Sequence, residues 1–135
     1  MKKLEIEALN DNLDTVTEFI DELLEEAGCG MNTQLLVDLC VEEIFVNIAS
    51  YAYAPDVGMA WITAEILQEP KRIRIAFSDT GMQYDPLANE DPDITLSAEE
   101  RKIGGLGVFL VKKNMDSVRY EYTGGHNILT VEKNL

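Results

Sequence analysis

Glu42-Glu43-Ile44-Phe45-Val46-Asn47 is the stretch on which the reading of this chain turns. It lies inside a long helical pattern, and Glu43 and Asn47 are four residues apart. Four residues is about one helical turn, so both side chains leave the same face. At about 100° per residue, Val37, Val41, Ile44 and Ile48 form one apolar stripe. Asp38 and Glu42 point roughly the other way, towards solvent. Glu43, Asn47 and Ser50 occupy a third sector, among Leu36, Leu39 and Cys40. Burying a carboxylate and an amide costs free energy unless something binds them. The helix alone leaves two readings open: local hydrogen bonding at its surface, or a ligand such as a metal-bound phosphate.

Working outward, Leu4, Ile6 and Ala8 alternate with Glu5 and Glu7, which reads as a first strand. Asn10-Asp11-Asn12 offers caps for a helix over about residues 12–27. Its apolar positions are Leu13, Val16, Ile20, Leu23, Leu24 and Ala27, and Gly28-Cys29-Gly30 stops it. The helix that carries Glu43 spans about 33–53 and ends before Pro55. Residues 59–67 and 72–78 read as strands joined by a short turn, an antiparallel hairpin. A helix is expected over 106–115. Strands over 117–123 and 128–133 close the chain, joined by Gly124-Gly125-His126-Asn127. Consecutive strands in hairpins argue against a doubly wound parallel sheet. The expected fold is α+β, a two-layer α/β sandwich with a mostly antiparallel sheet of about five strands and helices on one face. The whole of 1–135 is expected to be one domain.

Composition narrows the partners. The chain has 11 basic and 25 acidic side chains, a net charge of −14. Nucleic-acid binding needs cations for phosphates, and Lys112-Lys113 and Lys71-Arg72 are only pairs. An anionic membrane is disfavoured for the same reason. Cys29 and Cys40 fit neither a disulfide framework nor a zinc signature. The N-terminal residues lack a signal-peptide apolar run, and no apolar stretch approaches ~18 residues. The expectation is a reduced, cytoplasmic protein.

Two further segments carry chemistry. Asp79-Thr80-Gly81-Met82-Gln83-Tyr84-Asp85-Pro86 follows a strand in which Ile73, Ile75 and Phe77 share a face with Asp79. An ionised carboxylate only accepts hydrogen bonds, so in a pocket Asp79 suits an exocyclic amine such as that of adenine. Gly81 permits close backbone approach. Read alone, the segment is equally a simple Asp-Gly turn. Gly104-Gly105-Leu106-Gly107-Val108-Phe109-Leu110 opens a helix, whose free amides and positive end favour an anion. As a dinucleotide-binding loop the match is poor, because Leu110 stands at the third glycine position and no strand directly precedes it. A hinge is the other reading. Residues 80–104 between the two segments hold glycine, prolines and acids, the make-up of a lid or binding loop.

In this order, the three segments resemble the nucleotide-binding boxes of the GHKL ATPase superfamily, with its Bergerat fold. Within it, the chain is similar to the small anti-sigma-factor serine/threonine-protein kinases, and the likeness covers nearly all of it. The resemblance implies ATP and Mg²⁺ as cofactors, and a lid over about 80–104. It implies Glu43 as the catalytic base and Asn47 as a Mg²⁺ ligand. It makes Asp79 the acceptor of the adenine amine and Gly81 the close-packed residue beside the ring. Asp85 joins the nucleotide-binding set. Gly104, Gly105, Leu106 and Gly107 form the phosphate-contacting turn, and Thr130 supports Asp79 and the adenine. Arg101, in the lid, is placed towards the phosphate tail. Tyr51 stands where many of these kinases have histidine, and Gln83 where many superfamily members have glycine.

The activity so implied is phosphorylation of a small anti-anti-sigma (antagonist) protein, with sequestration of a sigma factor by a homodimer. The alternative is a non-catalytic ATP-binding module that sequesters a partner, and Glu43 favours the first. A sensor histidine kinase fragment is disfavoured, because the only histidine, His126, falls in a turn.

Overall fold

The computed structural model describes residues 1–88 and 105–135, with backbone alone for 105–107. Five strands form one sheet: β1 (Lys2–Glu7), β2 (Met59–Leu67), β3 (Arg72–Asp79), β4 (Ser117–Thr123) and β5 (His126–Asn134). Their order is β1-β2-β3-β5-β4, and every pairing is antiparallel. Helices α1 (Leu13–Glu26), α2 (Met31–Asn47) and α3 (Gly105–Asn114) pack on one face. This is the expected two-layer α+β sandwich.

Alternation places the core. In β3 every second residue is buried, from Ile73 through Ile75 and Phe77 to Asp79. Ala60, Ile62 and Ala64 do the same in β2. They meet Val16, Ile20 and Leu24 of α1 and Val37, Val41, Ile44 and Phe45 of α2. Each large side chain so buried contributes about 1.5–3 kcal/mol relative to an exposed one. That burial ties α2 to the sheet and fixes which of its residues face the end of β3.

The opposite face of the sheet carries a charged strip. Glu132 receives Arg72 at 2.7 Å, Arg74 at 3.5 Å and Arg119 at 3.8 Å. The hydrogen bond from Arg72, ahead of the arginine charges, lowers the Glu132 pKa. His126 Nδ1 lies 2.8 Å from Ser78 Oγ on this face, with the ring edge-on to Trp61.

Four local expectations change. Asn10–Asn12 forms a 3₁₀ turn, and Asn12 does not cap α1 through its side chain. Its Nδ2 instead donates to the Glu7 carbonyl at 2.9 Å, tying the turn to β1. Second, α2 passes into a π-helical turn at Ile48–Ala52 rather than running on regularly. Third, Asp38 is half-buried against α1 and does not face open solvent. Burial, then a hydrogen bond and repulsion from Asp21, with Glu25 adding charge, raise its carboxyl pKa to about 8. The packing of α1 against α2 outweighs the cost of bringing these acids together. Finally, the last hairpin turns on Gly124 and Gly125 alone, at φ 58° and 79°. Two successive positive φ angles suit the tight hairpin turn that matches strand twist. His126 and Asn127 thereby belong to β5 rather than to the turn.

Candidate functional site

A cavity of about 470 Å³ opens between α2, α3 and the ends of the central strands. Ile44, Asn47, Ile48 and Tyr51 line it from α2 and the π turn, Val108 and Val111 from α3. Phe77, Asp79, Asn127 and Leu129 form its floor, with Met82, Tyr84 and Leu87 at the rim. The walls are mainly apolar with a few convergent polar groups, the make-up of a small-molecule site.

Asp79 sits at the base of the cavity and is 7% exposed. Its Oδ1 accepts from the Gly81 amide at 2.9 Å and from Asn127 Nδ2 at 3.0 Å. Among the described residues, no hydrogen bond reaches Oδ2. A buried carboxylate with one oxygen held and one free is suited to an incoming N–H donor. Asp79 and Asn127 are directly paired across β3 and β5, which brings their side chains within reach of each other.

The π turn positions the segment that follows β3. The Ala52 carbonyl accepts from the Met82 amide at 3.1 Å. A Cβ on residue 81 would lie 2.1 Å from that carbonyl oxygen. Gly81 is therefore needed for backbone against backbone, and it is not one of the cavity walls. Tyr53 adds a second tie, accepting from the Thr80 amide at 2.8 Å. Asp85 is half-buried and holds the Leu87 amide at 2.8 Å at the start of the 3₁₀ turn Pro86–Ala88.

Asn47 lines the cavity from the last turn of α2. Glu43, one turn earlier, is half-buried and lies beyond the walls. Among the described residues, neither side chain makes a hydrogen bond or ion pair. The surrounding sector is less apolar than its sequence suggests, because Leu36 and Leu39 are 37% and 39% exposed. Gly105, Leu106 and Gly107 form the first turn of α3, whose amides lack helical partners. Gly104 and Arg101 lie outside the described residues, as does much of the 80–104 segment.

Thr130 is placed differently from the expectation. It pairs with Ala76 in the register of β5 on β3, one position out of phase with Asn127, Leu129 and Val131. Strand alternation turns it to the open face of the sheet, away from Asp79. Asn127 provides the support expected of Thr130. It is 7% exposed, and its Oδ1 accepts from Tyr120 Oη at 2.6 Å and the Tyr84 amide at 3.1 Å. Sequence reading missed Asn127 because it was assigned to the turn. The signal was the Gly124-Gly125 pair, which supports a two-residue loop and so moves Asn127 into the strand.

A two-layer sandwich whose cavity holds a fixed carboxylate, with a helix start close by, suits a ligand that carries both an N–H donor and an anionic group. The chain belongs to the histidine kinase-like ATPase domain family, whose model matches residues 6–133. The serine/threonine-protein kinase BtrW of Bordetella bronchiseptica is 30% identical over 93 residues, covering 69% of this chain and 65% of that protein. The serine-protein kinase RsbW of Listeria monocytogenes is 28% identical over 106 residues, covering 74% of this chain and 67% of that one. The chain thus spans about two thirds of these relatives' lengths. A crystal structure of the RsbU and RsbW domains of Rv1364c from Mycobacterium tuberculosis has the same fold. It superposes with a TM-score of 0.69 at 18% identity, covering 100% of this chain and 33% of that one.

Proposed function

We propose that this chain is an ATP-dependent serine/threonine protein kinase of the anti-sigma type. In this reading it phosphorylates a small antagonist protein and sequesters a sigma factor, in the cytoplasm and as a homodimer. The observation that carries the reading is the placement of Glu43 and Asn47. They stand one turn apart on α2, Asn47 lining the same cavity as Asp79 and Glu43 just beyond its walls. A nucleotide whose base amine meets Asp79 would direct its phosphates towards Asn47 and the first turn of α3.

The chemistry follows from those positions. Glu43 takes the proton of an acceptor serine hydroxyl. The freed oxygen bonds to the γ-phosphorus as the bond to the β,γ-bridging oxygen breaks, and ADP leaves with that electron pair. The amides of Gly105, Leu106 and Gly107 face the phosphate charge. Among the described residues there is no cluster of three metal-ligating side chains. A Mg²⁺ ion would use the Asn47 amide oxygen together with nucleotide oxygens and water, a donor set that suits this cation. When bound, it would neutralise charge on the phosphates.

A protein acceptor is favoured over a small one by the surface beside Glu43. Met31, Leu35 and Leu39 are 77%, 60% and 39% exposed along one side of α2, and apolar surface of this kind marks protein contacts. The second reading is an ATP-binding module that sequesters a partner without transfer. The position of Glu43 beyond the cavity walls favours it.

The test uses labelled ATP, Mg²⁺ and the antagonist protein encoded nearest to this chain. Mg-dependent binding of ATP and label on one serine of the antagonist are expected. Absence of Mg-dependent binding sinks the site assignment. Binding without transfer leaves the sequestering module.

A further inference from the structure

Asn127 is the most heavily connected polar side chain of the cavity. Its Oδ1 accepts from Tyr120 Oη at 2.6 Å and the Tyr84 amide at 3.1 Å. Its Nδ2 donates to Asp79 Oδ1 at 3.0 Å and the Met82 carbonyl at 3.0 Å, with the Gly81 carbonyl at 3.4 Å. These partners fix the orientation of the amide. Rotating it by half a turn would face its oxygen with a carboxylate and two carbonyls, and its NH₂ with an amide N–H. The Tyr84 amide has no lone pair to offer in exchange. Tyr120 also remains a donor, because burial and then the charge of Asp85 raise its pKa.

We propose that Asn127 is the positioning residue of base recognition: held by Tyr120 and Tyr84, it occupies Asp79 Oδ1, leaving Oδ2 as a pure acceptor that selects a purine with an exocyclic amine over one with a carbonyl. The proposal rests on the ATP-binding reading above. Two consequences follow from the chemistry. With Oδ1 occupied by two N–H donors, Oδ2 is the oxygen left to meet a ligand, and a carboxylate oxygen accepts from an amine but offers nothing to a carbonyl. Without the Asn127 amide, the carboxylate loses one of the two donors that fix it and is free to turn. A turned carboxylate no longer presents Oδ2 to the amine, so discrimination would fall.

The same side chain joins β3, β4 and the segment from Gly81 to Tyr84.

The experiment is a Mg²⁺-containing titration of the full chain with ATP and with inosine triphosphate, which carries a carbonyl in place of the adenine amine. Wild type is expected to prefer ATP. Asn127→Leu is expected to lose roughly tenfold of that preference, the size of one buried hydrogen bond. The loss should come from weaker ATP binding, with inosine triphosphate little changed. Tyr120→Phe, which frees the amide while keeping the ring, should lose about threefold. A merely structural role would weaken both nucleotides alike, and an unchanged ratio in the folded variants overturns the proposal. If Asn127→Leu does not fold, Tyr120→Phe decides by the same ratio. Wild type that prefers ATP, with variants that keep the preference, overturns the role of Asn127 alone. Wild type that binds neither nucleotide overturns the functional reading and this proposal with it.

Discussion

In the function proposed above the cavity has a base end and a phosphate end, and the two are built on different terms. At the base end, Asp79 and Asn127 are each 7% exposed and bonded to one another and to backbone. At the phosphate end, Glu43 and Asn47 are half-buried and, among the described residues, bond to no other protein group. The first is preorganised by the sheet, with Asp79 Oδ1 and the Asn127 amide engaged before a ligand arrives and Oδ2 left open. The second leaves its polar groups without a protein partner among the described residues, as the proposed transfer chemistry requires. Preorganised donors and acceptors give selectivity at small reorganisation cost. Free groups held on a helix give chemistry, at the cost of partial desolvation.

That contrast predicts a separation of binding from transfer. The largest effect is expected for Glu43→Ala, a drop in phosphotransfer of roughly 10²–10⁴-fold with ATP affinity retained. Single-turnover transfer beside an ATP titration measures both, and a matching fall in affinity would break the contrast. Next is Asp79→Asn, which replaces the charged acceptor with an amide at the base end. ATP affinity should fall roughly 10–10²-fold, the size of a hydrogen bond to a charged group. Calorimetric titration checks it, and wild-type affinity would remove Asp79 from the site.

Gly81→Ala probes whether the base end is fixed by backbone packing. The new Cβ would lie 2.1 Å from the Ala52 carbonyl oxygen, so one of the two segments must move. A stability loss of about 1–3 kcal/mol is expected, read by denaturant unfolding with and without ATP. Unchanged stability would mean that the two segments yield easily.

The smallest effect is expected away from both ends, at the contact of α1 with α2. Asp38 has its pKa raised from 3.8 to about 8. A raised acid pKa favours the protonated form in the folded state. The stability it carries is complete below pH 3.8 and is lost progressively as pH rises to about 8. Asp38→Asn should therefore stabilise the protein above that range and give no gain near the lower limit. Allowing for solvent around the pair, the gain is about 1 kcal/mol. Thermal unfolding across pH checks the sign, and a gain independent of pH would contradict it.

The fold was legible because alternation and helical periodicity report burial directly. Ile73, Ile75, Phe77 and Asp79 share the buried face that their spacing requires. The same rule placed Val37, Val41 and Ile44 in the core. Where sequence reading failed, the cause was a boundary or a neighbour. A four-residue turn in place of Gly124-Gly125 hid Asn127. Asp38 was read on its own helix wheel, which cannot register Asp21 arriving from α1.

By itself, the sequence determined the order of strands and helices, the burial of Asp79 and the shared face of Glu43 and Asn47. Those follow from local geometry, because a residue's spacing along a strand or helix sets its direction. Only the tertiary structure decided that Asn127 rather than Thr130 supports Asp79, and that Gly81 is needed against Ala52. Those depend on the register between β3 and β5 and on the approach of the π turn to the end of β3. Both are distances between segments far apart in the chain, which no local pattern encodes.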